Sequence, residues 1–112
     1  SLASDPSSVT AIANDFSYLD VFSRQVEALG RTGDVSIGIS TSGNSENVLR
    51  GLSTAKNMGI ITVGLTGKTG GQLGKMSDYC IHVASDETPR IQEAHSLFGH
   101  ILCEIVEREL FG

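Results

Sequence analysis

Residues 40–45, Ser-Thr-Ser-Gly-Asn-Ser, place four hydroxyls in six positions. They lie between the apolar run VSIGI (35–39) and LRGLSTA (49–55). The first flank reads as a strand and the second as a helix. A helix N-terminus offers unpaired N–H groups and the positive end of the peptide dipole, which together make an anion site. Ser40, Thr41, Ser42 and Ser45 add hydroxyl donors there, and Gly43 lets the backbone come close to a guest. Phosphate is the guest this chemistry suits. Simple capping by Asn44 or Ser45 would use one side chain. The surplus of hydroxyls favours a ligand.

A second glycine-rich stretch, TGKTGG (66–71), contains Gly-Lys-Thr and invites comparison with a nucleotide-binding P-loop. The full pattern needs a glycine five residues before the second glycine, and that position is Thr62. The match fails. Gly67, Gly70 and Gly71 read as shaping a strand-to-helix turn, and Lys68 reads as solvated rather than as a phosphate ligand. No G-x-G-x-x-G occurs either, which argues against a dinucleotide-binding unit.

These loops must be positioned by regular elements. VSIGIS (35–40), ITVGLT (61–66) and YCIHVA (79–84) read as strands, the first two apolar enough to be buried on both faces. Val48, Leu49, Leu52, Ala55 and Lys56 recur at helical spacing over 46–58, with Gly59 as a stop signal. After the third strand, Thr88 is an expected N-cap and Pro89 an expected first helical residue. The helix that follows carries an apolar stripe of Ile91, Ala94, Phe98, Ile101 and Ile105, widened by Leu97, Leu102 and Val106. Two shorter helices, around SSVTAIAN and VFSRQVEALG, precede the first strand and are split by DFSYLD. Strands alternating with helices imply βαβ crossovers and a parallel sheet. Three strands make a thin sheet of that kind, which raises the expectation of further strands before Ser1.

At 112 residues the chain is one domain or a piece of one. Its 39% hydrophobic and 19% charged content is that of a folded rather than a disordered chain. No signal pattern or membrane-length apolar run is present. A net charge of −5 with scattered basic residues argues against nucleic acid as a partner. Cys80 and Cys103 are neither a CxxC pair nor a framework, and read as reduced core residues of a cytosolic protein.

Together AIANDF, FSRQVEALGRTGDV, GISTSGNSENV, GLTGKTGGQL and RIQEAHSLFGHILCEIVE resemble the sugar isomerase (SIS) domain family, in its branch that isomerises phosphorylated heptoses. The resemblance covers nearly the whole chain. It implies an α/β fold, a three-layer αβα sandwich of the flavodoxin/Rossmann-like kind, with 1–112 as the C-terminal portion of a single SIS domain. It implies a cytoplasmic homotetramer with zinc as cofactor. The implied reaction converts sedoheptulose 7-phosphate to D-glycero-D-manno-heptose 7-phosphate for bacterial lipopolysaccharide and other surface polysaccharide. Carried over residue by residue, Ser40, Thr41, Ser42 and Ser45 match the phosphate loop, and Asn14 and Asp15 match a substrate-binding pair. Gln92 matches a catalytic position that contacts substrate and metal. His100 matches a zinc ligand and catalytic acid or base. His82 and His95 are left out, His95 reading as a packed or interface histidine.

The resemblance also places a glycine-rich turn, and a histidine and glutamate four apart, upstream of anything present here. The chain alone is therefore expected to be inactive. Gln92 and His100 are eight residues apart, a rise of about 12 Å and a turn of roughly 80° on a straight helix. That spacing strains a shared zinc, whose bonds are about 2 Å: either the helix bends, or one residue contacts only the substrate, or ligands from different subunits converge, the reading favoured here. The alternative is a non-catalytic phosphosugar-binding relative, such as a replication-initiator-associating protein. That branch tends to place a bulky basic residue in the serine loop and to lose the last histidine. Ser42 and His100 therefore favour the enzyme.

Overall fold

The Asp5 carboxylate accepts the Ser7 amide at 3.1 Å and so starts the first helix of the computed structural model, which describes all 112 residues. Helix α1 runs Pro6–Asp15, and a 3₁₀ turn over Tyr18–Asp20 leads into α2, Val21–Leu29. Then come β1 (Val35–Ile39), α3 (Glu46–Asn57), β2 (Ile61–Thr66), α4 (Gly71–Met76), β3 (Tyr79–His82) and α5 (Thr88–Phe111). The expected alternation is present. The helix expected to start after Thr88 instead begins on it, with Glu87 in the capping position and Pro89 in the first turn.

The three strands form one parallel sheet in the order β1-β2-β3, with Val35 beside Ile61 and Val63 beside Tyr79. Gly38 and Gly64 are register partners and form a flat floor for the crossover helices. A Cβ on Gly38 would lie 2.6 Å from Leu52 of α3, and one on Gly64 would lie 3.1 Å from Leu73 of α4. Both crossovers therefore cover the same face. Val26, Ala55 and Ile60 form the buried core cluster beneath α2 and α3, with Leu2 and Met58 packed against it.

The other face departs from the expectation of strands buried on both sides. Val35, Ile37 and Ile39 of β1 are 57%, 45% and 56% exposed, and Ile61, Tyr79 and Ile81 continue the patch. They alternate with the covered residues because successive side chains of a strand point to opposite faces. Apolar composition on both faces thus records a surface that these 112 residues do not cover. Helix α5 shares this condition. Of its 24 residues only Ile91 and His95 are buried, while Leu97, Ile101, Ile105 and Val106 of the stripe, and Leu110 beyond it, are exposed. Cys103 is exposed on the same stretch, against the expectation of a core thiol, and Cys80 is half-buried. Both cysteines are unpaired, as expected. No helix is long and apolar enough to cross a membrane.

Candidate functional site at the carboxyl ends of the strands

The serine loop leaves the carboxyl end of β1, the edge of an α/β sheet where ligands bind. Ser40 continues the ladder, its amide donating to the Leu65 carbonyl at 3.0 Å, and its side chain turns inward. The Ser40 and Ser45 hydroxyls lie 2.8 Å apart, and the Asn44 amide donates to the Ser42 hydroxyl at 3.1 Å. Ser45 occupies the capping position of α3 but makes no capping hydrogen bond. The amides of Glu46 and Asn47 find no acceptor in the chain. Capping therefore does not account for the hydroxyls. They gather around a helix end that remains open to an anion.

A second loop fixes the shape of the first. The Gly67 amide donates to the Thr41 carbonyl at 3.0 Å, and the Leu73 amide to the Gly43 carbonyl at 2.9 Å. Asn44 reaches across with its side-chain oxygen to accept the Gln72 amide at 3.0 Å. Gly43, Gly70 and Gly71 all have positive φ. The two loops approach so closely that a Cβ on Gly71 would lie 2.6 Å from the Ser42 carbonyl oxygen. A third loop, after β3, joins them where the Lys68 amide donates to the Ser85 carbonyl at 3.3 Å. Between the three loops lies a cleft of about 230 Å³ lined by Thr41, Ser42, Lys68, Thr69, Ser85, Asp86, Thr88 and Ile91.

Helix α5 is seated beside this cleft by His95. Its Nε2–H donates to the Thr66 carbonyl at 2.9 Å, and its Nδ1 is buried without a partner. The histidine is 6% exposed, so the packed reading of His95 holds. His82 lies behind the glycine loop, its Nδ1 3.3 Å from the Thr66 hydroxyl.

The structure brings together Ser40, Thr41, Ser42 and Ser45. Asn14 and Asp15 end α1, exposed, and bond to each other at 3.1 Å. Gln92 and His100 are exposed on α5. No hydrogen bond or ion pair joins any of these four to the serine loop. No group of three His, Cys, Asp or Glu side chains converges to hold a metal. Gln92 and His100 lie on one helix running through 88–111, about 12 Å apart along its axis at 1.5 Å per residue. The residues of this chain by themselves do not fit a zinc site.

Thr69, Ser85 and Asp86 have no role in the sequence reading, Thr88 enters it only as a helix cap, and Lys68 only as a solvated residue. The signal was available, because in a parallel sheet every loop that follows a strand opens on the same edge. By contrast, the apolar cleft of about 360 Å³ along β1 is lined by residues such as Phe22, Ile37, Ile39 and Leu52. It contains no titratable side chain and belongs to the uncovered packing surface.

Comparison with known proteins accords with this geometry. The family model described as SIS domain matches residues 1–67. A phosphoheptose isomerase of Sulfurimonas denitrificans is 55% identical over 111 residues, covering 99% of this chain and 57% of the relative. Phosphoheptose isomerase 2 of Campylobacter jejuni is 58% identical, covering 99% of this chain and 55% of its own length. Among solved structures, a phosphoheptose isomerase from Neisseria gonorrhoeae superposes with a TM-score of 0.91 at 44% identity, over 94% of this chain and 60% of that one. One from Francisella tularensis gives 0.92 at 37% identity, over 96% and 58%. The chain thus spans little more than half the length of the curated relatives it matches.

Proposed function

This chain belongs to the SIS domain family, and from that premise we propose that it forms the phosphate-anchoring portion of a phosphoheptose isomerase. The substrate in this reading is sedoheptulose 7-phosphate and the product D-glycero-D-manno-heptose 7-phosphate, a step towards lipopolysaccharide heptose. One observation carries it: the uncapped start of α3, ringed by Ser40, Thr41, Ser42 and Ser45, at the ligand edge of the sheet. Preorganised amides and hydroxyls bind a phosphate dianion with little reorganisation, and remote binding energy of this kind orients the reacting end of a substrate.

Moving a carbonyl between C1 and C2 requires removal of a proton from one carbon and its return to the neighbour. We assign the phosphate to the serine loop, the sugar chain to Asn14, Asp15 and Gln92, and acid or base duty to His100. The last two roles need α5 to be completed by chain material beyond these residues. The exposed stripe of Leu97, Ile101 and Ile105 and the open sheet face supply surface for that, which supports an intersubunit site; the assembly in this reading is a cytoplasmic homotetramer. Gln92 and His100 would hold a zinc ion only together with further ligands from outside these residues.

The test is turnover of sedoheptulose 7-phosphate by the full-length protein, before and after chelation and with zinc restored. Activity lost on chelation and regained with zinc establishes isomerase and metal together. Activity indifferent to chelation keeps the isomerase and removes zinc. A folded protein that binds the sugar phosphate without turning it over is a phosphosugar-binding regulator instead.

A further inference from the structure

We infer that Lys68, in the glycine loop after β2, is a phosphate-binding residue that exchanges an intramolecular partner, Asp86, for the substrate's phosphate. The inference rests on the phosphate reading of the serine loop and adds to it a charge which that loop lacks. The loop supplies only neutral donors, whereas the guest is a dianion and the protein carries a net charge of −5. Lys68 is the one basic residue lining the cleft that Thr41 and Ser42 share with Ser85 and Thr88.

Its root is fixed and its tip is only loosely held. The neighbouring Gly67 amide is bound to the Thr41 carbonyl at 3.0 Å, and the Lys68 amide to the Ser85 carbonyl at 3.3 Å. The chain therefore cannot swing away from the serine loop. The Nζ reaches Asp86 Oδ2 only at 3.5 Å, with both side chains largely exposed. An ion pair that long and exposed is weak. Arg50 and Lys56 are engaged more closely: Arg50 contacts Asp20 at 2.8 Å and Glu46 at 2.7 Å, and Lys56 contacts the Met76 carbonyl at 2.7 Å, whereas Arg24 meets Glu27 at the same 3.5 Å. Asp86, the other charged group lining the cleft, holds Lys68 at the rim and opposes an anion once Lys68 has moved. The pair thus acts as a gate that a phosphate opens by outcompeting a carboxylate for one ammonium.

The experiment measures binding of sedoheptulose 7-phosphate, and its displacement by inorganic phosphate, in the full-length protein by calorimetry at low ionic strength. Lys68→Gln weakens both ligands by about tenfold, the scale of one charge-assisted contact to phosphate, and Lys68→Arg restores affinity to within about twofold. Asp86→Asn tightens both by roughly threefold when Lys68 is present and by less in the Lys68→Gln background. Added salt narrows the difference between wild type and Lys68→Gln, because exposed charges are screened. Ser42→Ala serves as the separate probe of the serine loop. If Ser42→Ala weakens binding while Lys68→Gln leaves it unchanged, the Lys68 assignment is overturned and the phosphate loop stands. If neither substitution changes binding, or the protein binds no phosphate, both are overturned.

Discussion

The loop cluster at the carboxyl ends of the strands and the long helix α5 are close neighbours, yet they are built on opposite terms. In the cluster, backbone groups of the serine loop are tied to the glycine loop by bonds of 2.9–3.0 Å, and the glycines admit contact that a side chain would forbid. Helix α5 touches the body through Ile91 and His95 and then presents its apolar stripe to solvent. The cluster therefore has its final shape within these residues. The helix has its secondary structure but not its environment. In the proposed reading the phosphate pocket is complete within these residues while the reacting end of the substrate still needs partners.

The comparison breaks most visibly at Gly43. Its φ is +71°, and a Cβ there would meet the Gly70 carbonyl oxygen at contact distances no packing allows. Gly43→Ala combines a left-handed penalty of about 1–2 kcal/mol with a backbone clash. We expect a loss of about 3 kcal/mol or more in the full-length protein, read as a fall in the urea midpoint, with phosphate affinity lost in parallel. A variant that kept both stability and phosphate affinity would show that the two loops are not mutually shaped.

His95 is the joint between the regions and the next largest effect. Removing its Nε2–H takes one of two donors from the Thr66 carbonyl, which keeps the Val83 amide at 3.0 Å, so the lost bond costs about 0.5–1.5 kcal/mol. His95→Ala should therefore destabilise by that amount and release the start of α5, with faster amide exchange over 88–95 and little change over 40–45. Equal loosening of both segments would mean that cluster and helix form one cooperative unit.

How much of this was legible in the sequence follows the same division. The strand–helix alternation, the parallel sheet and the hydroxyls of 40–45 were readable, because periodicity and helix-end chemistry are local properties. The Asn44 bridge to Gln72 was not, since it joins residues 28 apart in sequence. Lys68 was read as merely solvated because the failed P-loop pattern removed the reason to look at it. The open face of β1 was misread as buried because composition registers apolarity without saying which chain covers it. Gln92 and His100 were marked by resemblance alone, and nothing inside these residues draws them together.

The smallest effect lies at the opposite end of the sheet and sharpens the contrast with Asp86. There the Thr62 amide and hydroxyl donate to the Asp78 carboxylate at 2.8 and 3.0 Å, with Lys56 at 3.6 Å. The Thr62 backbone bond first, then its hydroxyl and Lys56, hold the Asp78 carboxyl below the ordinary carboxylate range. A depressed folded-state value means that this contribution to stability is present above the unfolded value near pH 4 and is lost as pH falls through the lower folded value. Asp78→Asn should therefore flatten the pH dependence of the urea midpoint below about pH 4. Asp78 is tied to the fold by a backbone amide, and Asp86 by one loose ammonium that a ligand can remove. If Asp78→Asn left the pH profile of the urea midpoint unchanged, the Thr62 bonds would contribute nothing to stability and the contrast with the loose Lys68–Asp86 pair would fail.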